Sequence, residues 1–336
     1  MRTELLFAAG CMSATLGCAA TLPSSGPFSR LIVFGDSYSD TGNLNSEIGV
    51  PAAPYYSGRF TDGPVWIEGV ADHLRLQVLP SYFGGTNYAH GGASSETGLE
   101  SADGMAIGLN AQEQARLYSG HPDGSELFVV WCGSVDVLLM LKGTCHSTPD
   151  HVADNVGAII QSLYDRGGRQ FLVPNIPNLG LSPQFNSSDQ AAAARDLCAA
   201  ITDALSTQLD QLANLPDIHI YRLDAAGILA NMATDPIAPI TEISAPIWSG
   251  TVSGYSGGGV LEPNPEAFLY WDFNHPSHAW HAAVAETAIE LLAAQGPSTQ
   301  TAPGTVEIQP PSALSYWTTY FSQLSQSDQG AMECRY

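Results

Sequence analysis

The fold is decided by the stretch LIVFGDSYSDTGN at residues 31–43, in which an apolar run of strand length at residues 31–34 leads into a Gly-Asp-Ser turn. Further runs of strand length lie at residues 127–131, 171–173 and 218–223. Helical patterns lie at residues 65–74, 109–118, 152–166, 190–212 and 278–294. This alternation predicts an α/β fold with a central parallel sheet, helices on both faces, and ligands bound beyond the carboxyl ends of the strands.

Two stretches depart from this alternation. Residues 236–265 are rich in Pro, Gly and Ser, and we expect them to form a loop excursion near the site. Residues 296–312 read as a linker after a main domain of residues 21–295. The tail at residues 313–336 is predicted to be helical, and its helix either docks back onto the domain or binds a partner. Its apolar stripe consists of Leu314, Trp317, Phe321 and Leu324.

The N-terminus has the pattern of a secretory signal. Arg2 precedes an apolar run at residues 5–20 that ends in Cys18-Ala19-Ala20. We therefore predict a signal peptide over residues 1–20 and a secreted, extracellular protein. A membrane anchor is the alternative, but the run is near the short limit for a span and no charged stop-transfer cluster follows it.

Signal removal leaves an even number of cysteines in an oxidising compartment. They are Cys132, Cys145, Cys198 and Cys334. One or two disulfides are expected, and of the three possible pairings Cys132 with Cys145 is the most local. No Cys-x-x-Cys or Cys/His spacing indicates zinc.

The charge balance excludes several classes of partner. The chain has 33 acidic and 11 basic residues and a formal net charge of -22. Such a field repels phosphate backbones and anionic bilayers, so neither nucleic acid nor stable membrane association is expected.

Two distant segments together contain the elements of a nucleophilic serine site. Ser37 lies just past the first predicted strand, and a serine needs a histidine base oriented by a carboxylate. Residues 272–276 read DFNHP and supply both, since a three-residue spacing lets Asp272 reach the ring of His275. The pattern predicts Ser37 as nucleophile, His275 as base and Asp272 as its orienting partner.

With these segments the sequence resembles the GDSL, or SGNH, hydrolases, most closely the fungal secreted acetylesterases of carbohydrate esterase family 16. The resemblance runs over about residues 31–294 and includes GRFTDGPVW at 58–66, NYAHGGA at 87–93 and VPNIPNLG at 173–180. It implies a three-layer α/β/α sandwich of the flavodoxin-like type. It also implies an oxyanion hole formed by the backbone N–H groups of Ser37 and Gly92, which stabilises the negative charge that develops on the ester oxygen. An acylated carbohydrate or another small ester is the expected substrate, and no cofactor or metal is expected.

One position departs from the family pattern. The family's third oxyanion donor is the asparagine of a Gly-x-Asn-Asp block, and residues 133–136 here read GSVD. Val135 therefore stands in the asparagine's place, and valine has no donor. Loss of one such donor typically lowers turnover about 10²- to 10³-fold. The enzyme is then weak, recruits another donor such as Ser134, or is no longer an enzyme.

Three competing interpretations concern other residues. Residues 254–258, GYSGG, formally match the nucleophile elbow of α/β-hydrolases around Ser256, but a Gly/Ser-rich loop lacks the strand and helix that such an elbow needs. The histidines at positions 275, 278 and 281 are regularly spaced, but no further ligand completes a recognisable metal site. Several aromatic residues either stack on sugar rings or pack within the core or a lid. They are Tyr55, Tyr56, Tyr82, Trp248 and Trp271.

Three functions remain open from the sequence, because a fold does not choose among them. The first is a secreted serine esterase that removes acetyl groups from carbohydrates. The second is a lipase or general carboxylester hydrolase on the same fold, and the third is a non-catalytic carbohydrate-binding relative disabled by Val135. The first is preferred because of the resemblance and because the sequence shows no interfacial amphipathic anchor.

Overall fold

A computed structural model describes residues 26–96, 109–145, 147–250 and 258–297. The predicted signal peptide, the tail helix, Cys334 and Ser256 lie outside these ranges, as does all but the start of the predicted linker. These expectations therefore stay predictions.

The central sheet has four parallel strands in the order β1-β2-β3-β4. The strands are β1 (Leu31–Gly35), β2 (Leu127–Trp131), β3 (Gln170–Pro174) and β4 (His219–Leu223). Each predicted strand agrees with the observed one to within a residue at either end. On the free side of β1, Val33 N–H donates to Thr86 O and Tyr88 N–H donates to Val33 O. Backbone therefore lines β1 on both sides.

Eight α-helices accompany these strands within the described residues. They are α1 (Asn43–Ile48), α2 (Trp66–Leu74), α3 (Ala111–Leu117), α4 (Ser134–Lys142), α5 (Pro149–Asp165), α6 (Ala191–Leu212), α7 (Ala225–Thr234) and α8 (His278–Gln295). The five predicted helices are confirmed, with ends displaced by at most three residues. Within the described ranges, no helix combines the length and the apolar character needed to cross a bilayer.

Three helices and one small sheet were not predicted. Helix α1 is too short for a periodic signal, α4 is apolar at most positions, and α7 contains a glycine, so periodicity identifies none of them. The prediction of a loop throughout residues 236–265 was wrong for one described segment of that stretch. That stretch contains β5 (Glu242–Pro246), which pairs in parallel with β6 (Phe268–Tyr270). The residues of β5 are half-buried or exposed, so the strand has no apolar signature.

The two faces of the sheet bury alternate side chains of each strand. Leu31 and Val33 pack in a core with α2 and α8, whereas Ile32 and Phe34 pack in a second core with α3 and α5. All four side chains are at most 1% exposed. This alternation is the period of a strand covered on both faces, and it confirms the predicted three-layer α/β architecture.

The expectation of one or two disulfides, with the pairing left open, is not met by the three described cysteines. Cys132, Cys145 and Cys198 are free thiols. Cys132 is buried in the second core beside the end of β2, whereas Cys145 follows the far end of α4. A helix of nine residues is about 13 Å long, and disulfide-bonded Cα atoms lie within about 7 Å of each other, so the intervening helix keeps the two thiols apart.

Gly35 provides a test of the close packing between β1 and β2. It pairs with Trp131, and a Cβ atom at Gly35 would overlap the Trp131 carbonyl oxygen. We expect Gly35→Ala to lower the melting temperature by roughly 3–10 °C, because the backbone must move to relieve the overlap. In Gly26→Ala the added Cβ would lie 3.5 Å from Leu74 O, an ordinary contact, so this control should melt like wild type. Equal melting temperatures for the two variants in thermal unfolding would contradict the packing argument.

Candidate active site

The structure brings together the three residues that the sequence predicts to act as a unit. His275 Nε2 lies 2.9 Å from Ser37 Oγ, and His275 Nδ1 lies 2.8 Å from Asp272 Oδ2. All three side chains are at least nine-tenths buried. When the ring carries its proton on Nδ1, that N–H donates to Asp272 and leaves Nε2 as the acceptor for the serine hydroxyl. This is the geometry that a serine nucleophile requires.

Asp272 is fully buried, and donors surround both of its oxygens. Its Oδ1 accepts from the backbone N–H groups of Asn274 at 2.7 Å and His275 at 2.6 Å. Its Oδ2 accepts from the Tyr55 hydroxyl at 2.6 Å as well as facing the His275 ring. Burial opposes ionisation, but His275, Tyr55 and the backbone donors together bring the pKa of Asp272 below its usual value. The carboxylate therefore remains charged beside the histidine.

The turn that carries Asp272 and His275 is fixed by backbone contacts. Trp271 N–H donates to His275 O at 2.8 Å, which closes the turn on itself. Trp248, just past β5, donates its N–H to Trp271 O at 2.8 Å. Residues of this stretch next to β5 therefore lie against the site, as expected from the sequence, and the Trp248 contact supports the turn that carries Asp272 and His275.

The predicted oxyanion donor Gly92 lies in a loop that is tied to the nucleophile turn. His90 N–H donates to Gly35 O at 3.1 Å, and Gly91 N–H donates to Asp40 Oδ2 at 2.8 Å. Gly92 has φ +76°, a left-handed conformation that favours glycine. In the described part of the chain, neither the Ser37 N–H nor the Gly92 N–H has a hydrogen-bond acceptor. Both donors remain open for a ligand oxygen.

Val135 is the second residue of α4, which starts just after β2, the strand next to β1. It is 5% exposed, and it supplies no donor from its side chain. The preceding Ser134 begins the helix, and its buried hydroxyl has no hydrogen-bond partner in the structure as described. The first N–H groups of a helix also lack intrahelical acceptors. Ser134 and the helix start are therefore the groups near this position that can still donate.

Asp40 organises this region and was not among the site residues predicted from the sequence. Its carboxylate accepts from the backbone N–H groups of Gly42, Asn43, Leu44 and Gly91. A buried carboxylate is stable only when donors satisfy it, so the four bonds hold the start of α1 and the Gly92 loop in one arrangement. The Gly-Asp-Ser-x-Ser-Asp spacing at residues 35–40 was the available signal.

The regularly spaced histidines have separate partners. His278 Nδ1 lies 2.8 Å from Asp62 Oδ2, and His281 Nδ1 accepts from Trp66 N–H at 3.3 Å. Burial lowers the pKa of His281 to about 3, so it is a neutral packing residue. In the described ranges no three His, Cys, Asp or Glu side chains are arranged to hold a metal ion.

Of the aromatic residues singled out from the sequence, three are packed in the interior and one is exposed at the surface. Tyr55, Trp248 and Trp271 are buried in one cluster, which confirms the packing interpretation for these three. Tyr82 is 57% exposed and makes an edge-to-face contact with Phe83, which is 71% exposed.

Two further buried carboxyl groups lie beside the site. Asp36 precedes Ser37, and its Oδ1 accepts from Tyr38 N–H, whereas its Oδ2 is buried without a partner in the described chain. Burial raises the pKa of Asp36 to about 7. Burial also raises the pKa of Asp136 to about 6, although the N–H and hydroxyl of Ser95 donate to its carboxylate. Both groups hold their protons to unusually high pH.

The model of the GDSL-like Lipase/Acylhydrolase family matches residues 31–288, a range that contains every group described above. The chain belongs to this family. It is a carboxylic ester hydrolase with the GDSL/SGNH fold.

Individual relatives of this GDSL hydrolase are distant. A phosphatidylcholine-sterol acyltransferase of Aeromonas hydrophila is 25% identical over 330 residues, which cover 85% of this chain and 96% of that protein. A GDSL lipase of Tanacetum cinerariifolium is 25% identical over 327 residues, 84% of this chain and 88% of that protein. Among solved structures, an acetylxylan esterase from Geobacillus stearothermophilus superposes with a TM-score of 0.46 and 13% identity, over 80% of this chain and 96% of that one.

The raised pKa of Asp36 predicts how its removal changes stability with pH. Above about pH 4 the unfolded chain loses this proton, whereas the folded chain keeps it until about pH 7. The free energy of unfolding therefore decreases as the pH rises from about 4 to about 7. We expect the melting temperature of Asp36→Asn, relative to wild type, to rise by several degrees between about pH 5 and about pH 8. Thermal scans at each pH measure the difference. The control Asp203→Asn changes an exposed carboxylate of α6 and should follow wild type throughout. A difference that stays constant with pH would contradict a buried, protonated Asp36.

Val135 provides a direct test of the oxyanion hole. In Val135→Asn the new amide restores the family's third donor, so kcat should rise by roughly ten- to a thousand-fold with little change in KM, since the bond matters mainly in the transition state. Ser134→Ala is the companion variant, because its hydroxyl is the unpaired donor nearest in sequence. A folded Val135→Asn enzyme within about twofold of the wild-type kcat would contradict a two-donor hole. A loss of turnover in Ser134→Ala would then identify the substitute donor.

Proposed function

We propose that this GDSL hydrolase is a secreted esterase that removes acetyl or other short acyl groups from carbohydrates, with Ser37, His275 and Asp272 as its catalytic triad. The observation that carries the mechanism is the continuous chain from Ser37 Oγ through His275 to Asp272, with links of 2.9 Å and 2.8 Å. The fungal secreted acetylesterases that the sequence resembles are the basis for the substrate class.

The reaction has two halves that use the same groups. His275 Nε2 takes the hydroxyl proton as Ser37 Oγ attacks the ester carbonyl carbon. The tetrahedral intermediate collapses, the C–O bond to the sugar breaks, and the imidazolium donates its proton to the leaving alcohol. Water, deprotonated by the same ring, then attacks the acyl-serine and releases the carboxylic acid and free Ser37. Asp272 holds the ring and stabilises its positive charge without taking the proton.

The negative charge of each intermediate needs fixed donors. The open N–H groups of Ser37 and Gly92 can point at the developing oxyanion. The side chain of Val135 has no hydrogen-bond donor for the oxyanion. We infer that the start of α4, with its free N–H groups and the Ser134 hydroxyl, supplies the further stabilisation of this charge.

Two features support a carbohydrate over an aggregated lipid substrate. The net charge of -22 opposes approach to an anionic lipid surface. The exposed Tyr82 is also tied to the nucleophile segment, because its N–H donates to Asn43 Oδ1 at 3.0 Å. The Tyr82–Phe83 pair thereby presents an aromatic surface, connected to the active-site segment, on which a sugar ring can lie.

A lipid ester is the second candidate substrate. The two relatives described above carry the names of a phosphatidylcholine-sterol acyltransferase and a lipase, so lipid acyl chemistry occurs among proteins that match most of this chain. The triad acts identically on either kind of ester, and acyl-chain length separates them.

Secretion is part of the proposal and rests on the sequence. We propose that residues 1–20 are removed as a signal peptide and that the mature enzyme is extracellular. The chain isolated from a culture medium should then begin near Thr21.

Variants and a substrate series test the proposal together. Ser37→Ala should abolish hydrolysis of 4-nitrophenyl acetate, and His275→Ala should match it within about tenfold, because triad members act as a unit. Ser256→Ala, the alternative nucleophile, should keep most activity. In wild type, kcat/KM should fall steeply from acetate to octanoate esters, and acetylated xylo-oligosaccharides should be deacetylated faster than phosphatidylcholine. Loss of activity in Ser256→Ala alone would overturn the nucleophile assignment, and a preference for octanoate would favour the lipid substrate.

A further inference from the structure

The Tyr55 hydroxyl contacts the carboxylate of the proposed triad directly. Tyr55 is 5% exposed, and its hydroxyl donates to Asp272 Oδ2 at 2.6 Å. That same oxygen lies 2.8 Å from His275 Nδ1. A short hydrogen bond to a charged acceptor is among the stronger kinds, and exclusion of water strengthens it further.

Neighbouring aromatic side chains hold the Tyr55 ring in position. The ring makes edge-to-face contacts with Trp248 at 5.1 Å, Trp271 at 5.5 Å and Phe60 at 6.2 Å between ring centroids. Interlocked aromatic rings restrict the side-chain rotamers available to each other. The donor is therefore already in position before any substrate binds.

The loop that contains Tyr55 is also hydrogen-bonded to the segment that follows His275. Thr61 Oγ1 donates to Pro276 O at 3.0 Å, and the Asp62 carboxylate accepts from His278 N–H at 2.7 Å. Neither bond touches Asp272. The contacts of Thr61 and Asp62 are therefore structural, whereas the Tyr55 hydroxyl of the same loop contacts the carboxylate of Asp272.

We propose that Tyr55 is a positioning residue of the active site, whose hydroxyl fixes Asp272 and screens part of its charge, and so sets the pH at which the His275 base becomes available. The inference rests on the proposed triad roles of Asp272 and His275. It assigns to residue 55 a function that neither the nucleophile motif nor the Asp-x-x-His motif contains.

Other titratable groups face the same pair and stay in place when the hydroxyl alone is removed. Asp36 interacts with His275 electrostatically when it ionises, Tyr38 packs edge-on to the His275 ring with centroids 6.2 Å apart, and His281 and His278 lie on the following helix. Tyr55→Phe keeps the ring and all of these neighbours. The difference between that variant and wild type therefore isolates the effect of the Tyr55 hydroxyl.

The expected effects follow from the charge on Asp272. Without the hydroxyl dipole the carboxylate attracts a proton on the neighbouring ring more strongly, so His275 is protonated up to a higher pH. The acid limb of the kcat/KM profile should move to higher pH by about half a unit. On the plateau kcat should fall about tenfold, with KM nearly unchanged, because Asp272 loses one of its fixed contacts.

The experiment compares three single variants with wild type. Tyr55→Phe removes the proposed contact, and Tyr56→Phe removes a hydroxyl from the neighbouring tyrosine, whose ring lies beside Arg59. Thr61→Val removes a structural bond of the same loop. For each, kcat and KM for 4-nitrophenyl acetate are measured from about pH 4 to about pH 9. The His275 ring protons are titrated by NMR over the same range, a readout that needs no substrate.

The proposal predicts that only Tyr55→Phe moves the acid limb and the NMR midpoint upward together. Thr61→Val should lower thermal stability, because it loses the bond to Pro276, and should leave both midpoints in place, as should Tyr56→Phe. A midpoint in Tyr55→Phe that stays in place or moves to lower pH would overturn the proposal, whatever happens to turnover. If wild type hydrolyses no ester, the proposed function fails, and the NMR titration still decides the role of Tyr55.

Discussion

The site depends on the close parallel alignment of β1 with backbone on both of its sides. Gly35 lies opposite Trp131 of β2, and His90 N–H donates to Gly35 O from the other side. Because neighbouring parallel segments end at the same edge of a sheet, the residues that follow them meet there. Ser37, Gly92 and the start of α4 come together for this reason, although they lie in three separate parts of the chain. Only a residue without a side chain can occupy position 35 in this packing.

Buried carboxylates hold the loops of the site in place. Asp40 accepts hydrogen bonds from four backbone N–H groups. Asp272 accepts them from two backbone N–H groups, the Tyr55 hydroxyl and the His275 ring. A charge removed from water is tolerated only where donors surround it, so each cluster permits few alternative loop conformations. Asp36 has one oxygen without a partner in the described chain, and burial raises its pKa to about 7 instead. The candidate site is thereby rigid around Asp272, whereas the buried Asp36 beside Ser37 lowers the stability of the folded chain.

The oxyanion hole proposed for this GDSL hydrolase would differ from the family pattern in the kind of donor that it offers. An asparagine amide is a flexible side-chain group, whereas the N–H groups of Ser37, Gly92 and the start of α4 are fixed by the backbone. Backbone donors need no reorganisation when charge develops, which is what electrostatic stabilisation of a transition state requires. The replacement by Val135 changes the number of donors and leaves their preorganisation intact.

The sequence by itself determined the fold class, the central strands and the three residues of the proposed triad. Strand positions follow from period-two burial on a doubly covered sheet, and Ser37, Asp272 and His275 stand in short motifs whose spacing is local. It missed α1, α4, α7 and β5, whose short, uniformly apolar or half-exposed sequences carry no distinct period. Only the tertiary structure decided that Cys132 and Cys145 stay apart, that Asp40 ties two loops together, and that Tyr55 reaches Asp272. Each of these is a contact between segments whose separation in space is set by packing, and the contact between Tyr55 and Asp272 spans 217 positions of the chain, a distance over which no local pattern carries information.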